Sequence, residues 1–265
     1  MGITDGVLSV VTCVDNKFEQ FAVGLRRSAG SHSNLKVVVY DIDPGKGKME
    51  AADYKIAAGN AFDKEDAHNN IIANHKPICL HHYIKENNRP CVALDADCFF
   101  TCPLDLSVFD GVDIAVTPRG AREDKPFLMR NGKINSGVVY LNNTPEVLDF
   151  IKRWEALCAD GTISDQKALS DMLEEEIEFD LSKPVQKYKG MTVKLLDPDE
   201  FNDVTCKTGR IFHCKSVGRR KAKYIFYRAF IFMASTVPGF LDKLISLNRK
   251  HRFVVYKRKE KYKKD

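Results

Sequence analysis

Hydrophobic positions along the chain fall into short unbroken runs that alternate with longer stretches of helical spacing. The runs are rich in valine, isoleucine and leucine and predict buried strands, at 7–14, 35–40, 91–94, 112–117 and 138–141. The stretches between them carry apolar residues three and four apart and predict helices, at 18–28, 67–86, 144–158 and 164–176. This alternation favours an α/β fold, in which helices cover both faces of a mixed, mainly parallel sheet.

Three polar or conformationally restricted residues refine the helix boundaries. Thr144 precedes Pro145 and an acidic residue, which is the composition of a capped helix start. Ser164 is a second predicted N-cap. Pro77 has no backbone N–H, and we expect it to interrupt the helix predicted over 67–86.

The distribution of charge divides the chain into two parts. The net charge is +5, yet residues 248–265 contain nine Lys or Arg and only two acids, which leaves the remainder slightly acidic. We expect a single domain over 1–222, followed by a helical, basic extension over 223–265. Two interpretations of this extension stay open: peripheral contact with an anionic membrane, or a helix that packs on the domain and has a solvated end.

The body of the chain argues against a nucleic-acid partner, because it is not basic and has no aromatic RNA-binding motif. Eight cysteines are present without a CxxC pair, and several lie in apolar runs. Reduced cysteines that act as small hydrophobic residues are typical of a reducing compartment. Without a secretory signal or a long apolar segment, the sequence predicts a soluble cytoplasmic protein, with the inner face of a membrane as an additional location.

Polar residues interrupt the apolar runs where predicted strands begin or end. They include Asp15 and Asn16 after the first strand, Asp41 after the second, and 135–137 before the strand at 138–141. In open α/β sheets, ligands bind beyond the carboxyl ends of the strands. We therefore expect these side chains to line a binding site.

The most informative of these interruptions is Asp95-Ala96-Asp97, which follows the predicted strand at 91–94. Side chains two residues apart in extended chain lie on the same face, so both carboxylates can reach one cation. Hard oxygen ligands suit Mg²⁺ or Mn²⁺, particularly when a diphosphate completes the coordination. A turn without a ligand is the alternative, but apolar residues on both sides make it costly to leave two acids unpaired.

This segment resembles the Asp-x-Asp motif of GT-A-fold glycosyltransferases, whose catalytic domain is Rossmann-like. Further similar segments follow in the order of that family, at 10–16, 134–141, 154–169 and 212–214. The resemblance extends over residues 7–222. The Asp-Gln pair at 165–166 is more similar to retaining members, such as those related to glycogenin and lipooligosaccharide galactosyltransferases.

The resemblance implies a site for the nucleotide-sugar donor, formed by Thr12, Cys13, Asp15, Asn16, Lys76, Asp95, Ala96, Asp97, Asn135, Ser136, Gly137 and Arg219. Within this set, Lys76 and Arg219 are the candidate diphosphate partners, together with Lys221. The resemblance also implies a metal site of Asp95, Asp97 and His213. The late histidine segment departs from the family pattern, because its glycine is shifted and a Pro-Trp pair is missing, so the basic partner stays open.

The resemblance further implies catalytic roles for Asp165, which would bind donor hydroxyls, and Gln166, which would lie near the anomeric carbon. Simpler roles stay open: a first-turn acid for Asp165, a plain turn for Asn135 and its neighbours, and a buried structural histidine for His213.

The function expected from the resemblance is metal-dependent transfer of a sugar, with retention, from a UDP-sugar to a glycan or lipid-linked acceptor in polysaccharide assembly. A nucleotidyltransferase acting on sugar phosphates is the alternative. It would show a glycine-rich, basic segment after the first strand, where Lys17 and Phe18 follow Asn16 instead.

Overall fold

The computed structural model describes residues 8–33, 35–43, 49–57, 74–121, 123–159, 161–204, 209–214, 229, 232–233, 236–237 and 239–251. The strands within these ranges are β1 (Ser9–Val14), β2 (Lys36–Asp41), β3 (Tyr54–Lys55), β4 (Cys91–Leu94), β5 (Cys98–Phe100), β6 (Ile114–Pro118), β7 (Ile134–Leu141), β8 (Val185–Tyr188), β9 (Met191–Leu195) and β10 (Ile211–His213). The α-helices are α1 (Glu19–His32), α2 (Lys76–Asn87), α3 (Pro126–Met129), α4 (Pro145–Cys158), α5 (Asp165–Glu174), α6 (Pro198–Phe201) and α7 (Phe240–His251).

Eight of the strands form one sheet in the order β3-β2-β1-β4-β7-β6-β9-β8. Strands β1 to β4 run parallel to one another, and β6 is parallel to β9. Strand β7 runs antiparallel to both of its neighbours, and β8 is antiparallel to β9. The predicted mixed, mainly parallel sheet is therefore confirmed. The reversal of β7 places its amino end beside the carboxyl end of β4.

Hydrophobic side chains of the sheet alternate between two cores. On one face, Val10 and Val14 share a core with Phe21 of α1. On the other face, Val11 shares a core with Leu80 of α2 and with side chains of α4 and α5. Successive strand residues point to opposite faces, so an unbroken apolar run is needed where helices cover both sides. This confirms the predicted layers.

The predicted helix starts agree with the structure. Thr144 caps α4 by accepting a hydrogen bond from the Val147 amide at 3.3 Å, and Ser164 caps α5 by accepting from the Lys167 amide at 3.2 Å. Pro77 lies in the first turn of α2, where its missing N–H has no partner within the helix, and does not interrupt it. The predicted helical residues 67–73 lie outside the described residues.

Strands β8 and β9 form a hairpin that the hydrophobic pattern did not predict. Residues of β8 are mostly exposed at the sheet edge, so lysine and glutamine break up the apolar run. The two strands are joined at Lys189 and Gly190, which both have positive φ angles, of 46° and 87°. Such a two-residue turn matches the twist of antiparallel strands.

A second, two-stranded sheet joins distant parts of the chain. Strand β10 is antiparallel to β5, with Phe212 opposite Phe99 and His213 opposite Cys98. The phenylalanine side chains are buried in the core beneath α1. This pairing carries His213 to the segment that follows β4.

At the C-terminus, His32 of α1 lies 2.8 Å from the Asp242 carboxylate of α7. The predicted boundary between 1–222 and 223–265 falls outside the described residues and stays a prediction, as do the basic side chains beyond 251. Among the helices that the structure describes, none combines the length and the apolar composition needed to cross a membrane.

Candidate functional site

The site-forming segments predicted from the sequence meet at one edge of the sheet. Strand β4 ends at Leu94, which is paired with Val138 of β7. One residue further, the Asp95 amide donates to the Gly137 carbonyl at 3.0 Å. Because β7 is antiparallel, its first residues extend past the end of β4 and lie beside the Asp-x-Asp segment. Asn135 and Ser136 are thus buried within a strand, which replaces the simpler prediction of a turn.

Lys76, at the start of α2, is buried and joins two carboxylates. Its ammonium nitrogen lies 2.8 Å from Asp95 Oδ1 and 3.0 Å from Asp165 Oδ2. It also donates to the carbonyl and the hydroxyl of Ser136, at 2.9 and 3.2 Å. Burial alone would lower the pKa of Lys76, but the neighbouring carboxylates of Asp165 and Asp95 outweigh it and hold that pKa above its ordinary value. The lysine is therefore charged while it binds both acids.

Asp165 occupies the first turn of α5, and its side chain is only 4% exposed. The Ser136 hydroxyl donates to its Oδ2 at 2.8 Å, and the Trp154 indole donates to its backbone carbonyl at 2.7 Å. An acid that serves only the helix dipole needs no such partners. The structure brings Asp165, Ser136 and Lys76 together, and Trp154 supports them through its hydrogen bond to the Asp165 carbonyl.

The three predicted metal ligands also lie close together. His213 Nε2 is 3.2 Å from Asp97 Oδ1 and 3.5 Å from Asp95 Oδ2. The carboxylates are partly open to solvent, with side-chain exposures of 33% for Asp95 and 25% for Asp97, whereas the histidine is 3% exposed. The Cys214 amide, directly after β10, donates to the Asp97 carbonyl at 2.9 Å. This hydrogen bond joins the Asp-x-Asp segment to the end of β10.

Gly137 provides the space that His213 occupies. A Cβ atom at position 137 would lie 2.4 Å from His213 Cε1 and 2.7 Å from its Nδ1. Those separations are far below any non-bonded contact. The glycine of the Asn-Ser-Gly segment is therefore required for close approach of the imidazole.

The residues present fit a divalent cation with oxygen and imidazole ligands. Cys98 also lies within reach of Asp97 and His213. Burial, followed by the charges of Asp97 and Asp95, raises the pKa of the Cys98 thiol well above its ordinary value. Among the described residues, the donor atoms of Asp97, Cys98 and His213 form the set that lies mutually within 4.8 Å, and Asp95 adjoins this set through its 3.5 Å contact with His213.

The carboxyl end of β1 forms the other side of the site. Asp15 is buried and accepts a hydrogen bond from the Lys17 amide at 3.0 Å. Cys13 lines a small cavity with Cys79, Lys76 and Asp95. The segment after β4 and the end of β1 are thus adjacent, with Ala96 buried between the two acids of the motif.

Three buried oxygens near this end have no hydrogen-bond partner within the part of the chain that the structure describes. They are Thr12 Oγ1, Asn16 Oδ1 and Asp41 Oδ2. Buried polar atoms are nearly always paired in folded proteins, by protein, water or ligand. Thr12 and Asn16 were predicted to contact the nucleotide, and the unpaired atoms fit that role.

The two remaining predicted residues are Gln166 and Arg219. Gln166 is half-buried and donates from its amide nitrogen to the Asn131 carbonyl at 2.9 Å. Because a carbonyl only accepts, this contact settles which end of the Gln166 amide is nitrogen. Arg219, and Lys221 beside it, lie outside the described residues.

A buried polar network behind His213 was missed by sequence reasoning. Glu123 binds Arg119 at 3.2 Å and also accepts from the side-chain amides of Asn135 and Asn202. Asn202 in turn contacts His213 Nδ1 at 2.6 Å. Glu123 lies in a polar stretch without periodicity, and Asn202 follows a four-residue helix, so neither carried a recognisable pattern.

Comparison with known proteins agrees with this geometry. The sequence matches the model of the nucleotide-diphospho-sugar transferase family over residues 73–225, which is more than half of the chain. The chain therefore belongs to the nucleotide-diphospho-sugar transferase family, and its donor is a nucleotide-sugar. A comparison with curated protein sequences found no match.

The fold is similar to the crystal structure of a glycosyltransferase involved in the glycosylation of the major capsid of the virus PBCV-1. The two chains are 12% identical, and the match covers 83% of this chain and 98% of the viral one with a TM-score of 0.53. At that identity the similarity concerns the fold. The family match therefore defines the chain as a nucleotide-diphospho-sugar transferase, and the structural match concerns its α/β fold.

Proposed function

We propose that the chain transfers a hexosyl group from a UDP-sugar to a hydroxyl of a glycan or a lipid-linked acceptor, with retention of configuration. Mn²⁺ or Mg²⁺ would be held by Asp95, Asp97 and His213. The observation that carries this proposal is the position of Asp95. One of its oxygens binds Lys76, which holds Asp165, and the other faces His213.

This shared carboxylate would lie between the cation and the buried acid Asp165. A donor whose diphosphate approaches the cation would present its sugar toward Asp165. Charge neutralisation on the leaving nucleoside diphosphate is the chemistry that a divalent ion supplies there. The fixed acids would favour the positive charge that develops at the anomeric carbon.

Each predicted catalytic residue receives a defined role in this arrangement. Asp165 would accept hydrogen bonds from donor hydroxyls with the oxygen that Lys76 leaves available. Gln166 holds its NH₂ group on Asn131, so its oxygen would face the anomeric carbon. Lys76 already donates to Asp95 and Ser136 and forms an ion pair with Asp165, so direct contact with the diphosphate would require exchange of one of these partners.

The test is a screen of UDP- and GDP-sugars for thermal stabilisation and slow donor hydrolysis, with and without Mn²⁺. We expect one UDP-sugar to stabilise the protein and to be hydrolysed only with metal, and Asp97→Ala to abolish both effects. Asp149→Ala removes an exposed carboxylate elsewhere and serves as the matched control. Absence of any metal-dependent shift would refute the metal site, and release of pyrophosphate would indicate a nucleotidyltransferase.

Retention has its own measurement. Proton NMR of the sugar first released by donor hydrolysis reports its anomeric configuration before mutarotation. We expect the configuration of the donor. An inverted product would contradict the role given to the Asp-Gln pair.

The basic C-terminal extension is proposed to bring a cytoplasmic enzyme to an anionic membrane surface and hence to a lipid-linked acceptor. The support is its concentration of Lys and Arg and the exposed apolar side chains Phe232, Val237 and Leu247. Co-sedimentation with vesicles that contain anionic lipid, compared with neutral vesicles, measures this contact. Equal recovery with both would reject it.

A further inference from the structure

We propose that Asn202, held by Glu123, fixes the orientation and the tautomer of His213, so that its Nε2 lone pair faces Asp95 and Asp97. These are positioning residues, and they act through the histidine. The inference rests on the proposed cation site. It adds two residues that neither the Asp-x-Asp motif nor the late histidine segment contains.

Glu123 determines the orientation of the Asn202 amide. Glu123 is buried and its Oε1 binds the guanidinium of Arg119, with side-chain exposures of 8% and 4%. An ionised carboxylate can only accept hydrogen bonds. Its Oε2 lies 3.2 Å from the side-chain nitrogen of Asn202 and 3.1 Å from that of Asn135. Both amides must therefore turn their NH₂ groups toward Glu123.

The oxygen of the same amide determines which nitrogen of His213 carries the hydrogen. Asn202 Oδ1 faces His213 Nδ1 at 2.6 Å. The oxygen carries no hydrogen, so the hydrogen in this contact belongs to Nδ1. A neutral imidazole has one N–H only, and Nε2 is then left with its lone pair.

The other ring nitrogen of His213 lies in an anionic environment. Nε2 faces carboxylate oxygens of Asp97 and Asp95 at 3.2 and 3.5 Å. A lone pair and two anionic oxygens at these distances repel one another unless a proton on Nε2 or a metal cation lies among them. The ring is buried and packs against Gly137. Partners that fix the far nitrogen of a histidine commonly orient it for metal binding.

The tautomer is measured directly in the metal-free protein by nitrogen-15 NMR of labelled histidine, at a pH well above the ordinary histidine pKa. His213→Gln identifies the resonance among the seven histidines. We expect Nδ1 to carry the hydrogen in the wild type, and Asn202→Leu to give a mixture of tautomers. An Nε2–H form in the wild type would overturn the proposal, whether or not any variant folds.

Metal affinity provides the second readout, from the electron paramagnetic resonance signal of free Mn²⁺. We expect Asn202→Leu to weaken Mn²⁺ binding by roughly 10- to 100-fold, the usual loss for such a partner. Asn142→Leu is the matched control, since Asn142 donates to the Val112 carbonyl at the other end of β7. It should bind Mn²⁺ as the wild type does.

A double variant separates the effect of the hydrogen bonds of Asn202 from the effect of its side-chain volume. Asn202→Asp alone brings two carboxylates together and should weaken Mn²⁺ binding. Combined with Glu123→Gln, it restores a donor at position 123 and keeps an acceptor for Nδ1. We expect this pair to recover most of the affinity.

The outcomes also distinguish the inference from the proposed function. If the wild type binds no Mn²⁺, the proposed metal dependence fails. If Asp97→Ala abolishes binding while a folded Asn202→Leu binds Mn²⁺ like the wild type, the positioning role is wrong and the cation site stands.

Discussion

The two ends of the candidate site are built in opposite ways. At the end formed by β4 and β7, buried polar groups satisfy one another, as in the contacts of Lys76 with Asp95, Asp165 and Ser136. At the end formed by β1 and β2, oxygens of Thr12 and Asp41 are buried without a partner among the described residues. Around Lys76, the β4 end is complete without a ligand, whereas the β1 end leaves polar atoms that a ligand would pair.

This difference separates the expected effects of mutation. Removing one member of a satisfied buried network leaves its partners unpaired and destabilises the fold. Removing an unpaired buried atom relieves a desolvation cost and should stabilise the fold or leave it unchanged. At the β4 end, a substitution should reduce activity and stability together, whereas at the β1 end it should reduce activity without reducing stability.

The largest effect is expected for Lys76→Met, which keeps the length of the side chain and removes its charge. Asp165, only 4% exposed, then loses its cation. Breaking a buried pair in this way typically costs about 3–5 kcal/mol. Chemical denaturation should show a loss of that size in the free energy of unfolding, together with loss of sugar transfer.

Lys167→Met is the control for this change. Lys167 pairs with Asp171 on the exposed side of α5, and such surface pairs contribute about 0–1 kcal/mol. If both variants unfold at the same denaturant concentration, Lys76 does not stabilise the β4 end of the site.

A smaller effect on stability is expected for Gly137→Ala, because the added methyl group would overlap the His213 ring. Overpacking of this kind costs about 1–3 kcal/mol, and the displaced imidazole should weaken Mn²⁺ binding measured by titration. Gly30→Ala is the matched control, since nothing lies within 4 Å of a Cβ atom there. It lies inside α1 and should be neutral or slightly stabilising. Unchanged Mn²⁺ affinity in Gly137→Ala would show that His213 is not a ligand.

The sequence predicted the parts of the site that follow from strand ends. An apolar run that stops at an acid gives both the strand and the position of Asp95, and β4 has the predicted bounds of Cys91–Leu94. Thr144 and Ser164 likewise mark helix starts by local hydrogen bonding. These predictions succeed because cause and effect lie within a few residues.

The remaining features depend on contacts between distant segments. The pairing of β10 with β5 joins residues more than 100 positions apart, and no local pattern specifies that register. Glu123 and Asn202 are 79 residues apart and are related only through the fold. Lys76 looks like an exposed lysine before a proline until the packing of α2 buries it.

The smallest and most selective effect is expected for Thr12→Val, which replaces an unpaired buried hydroxyl by a methyl group of similar volume. We expect the melting temperature to stay the same or to rise, because no hydrogen bond in the described part of the chain is lost. Donor affinity, measured by calorimetry with a UDP-sugar and Mn²⁺, should fall by about tenfold if the hydroxyl binds the nucleotide. Thr117→Val is the matched control, since the buried Thr117 hydroxyl donates to the Val138 carbonyl at 3.3 Å. It should lose about 1 kcal/mol of stability with little change in donor affinity. A loss of stability in Thr12→Val with unchanged donor affinity would reverse the assignment, and the β1 end would then support the fold in the same way as the β4 end.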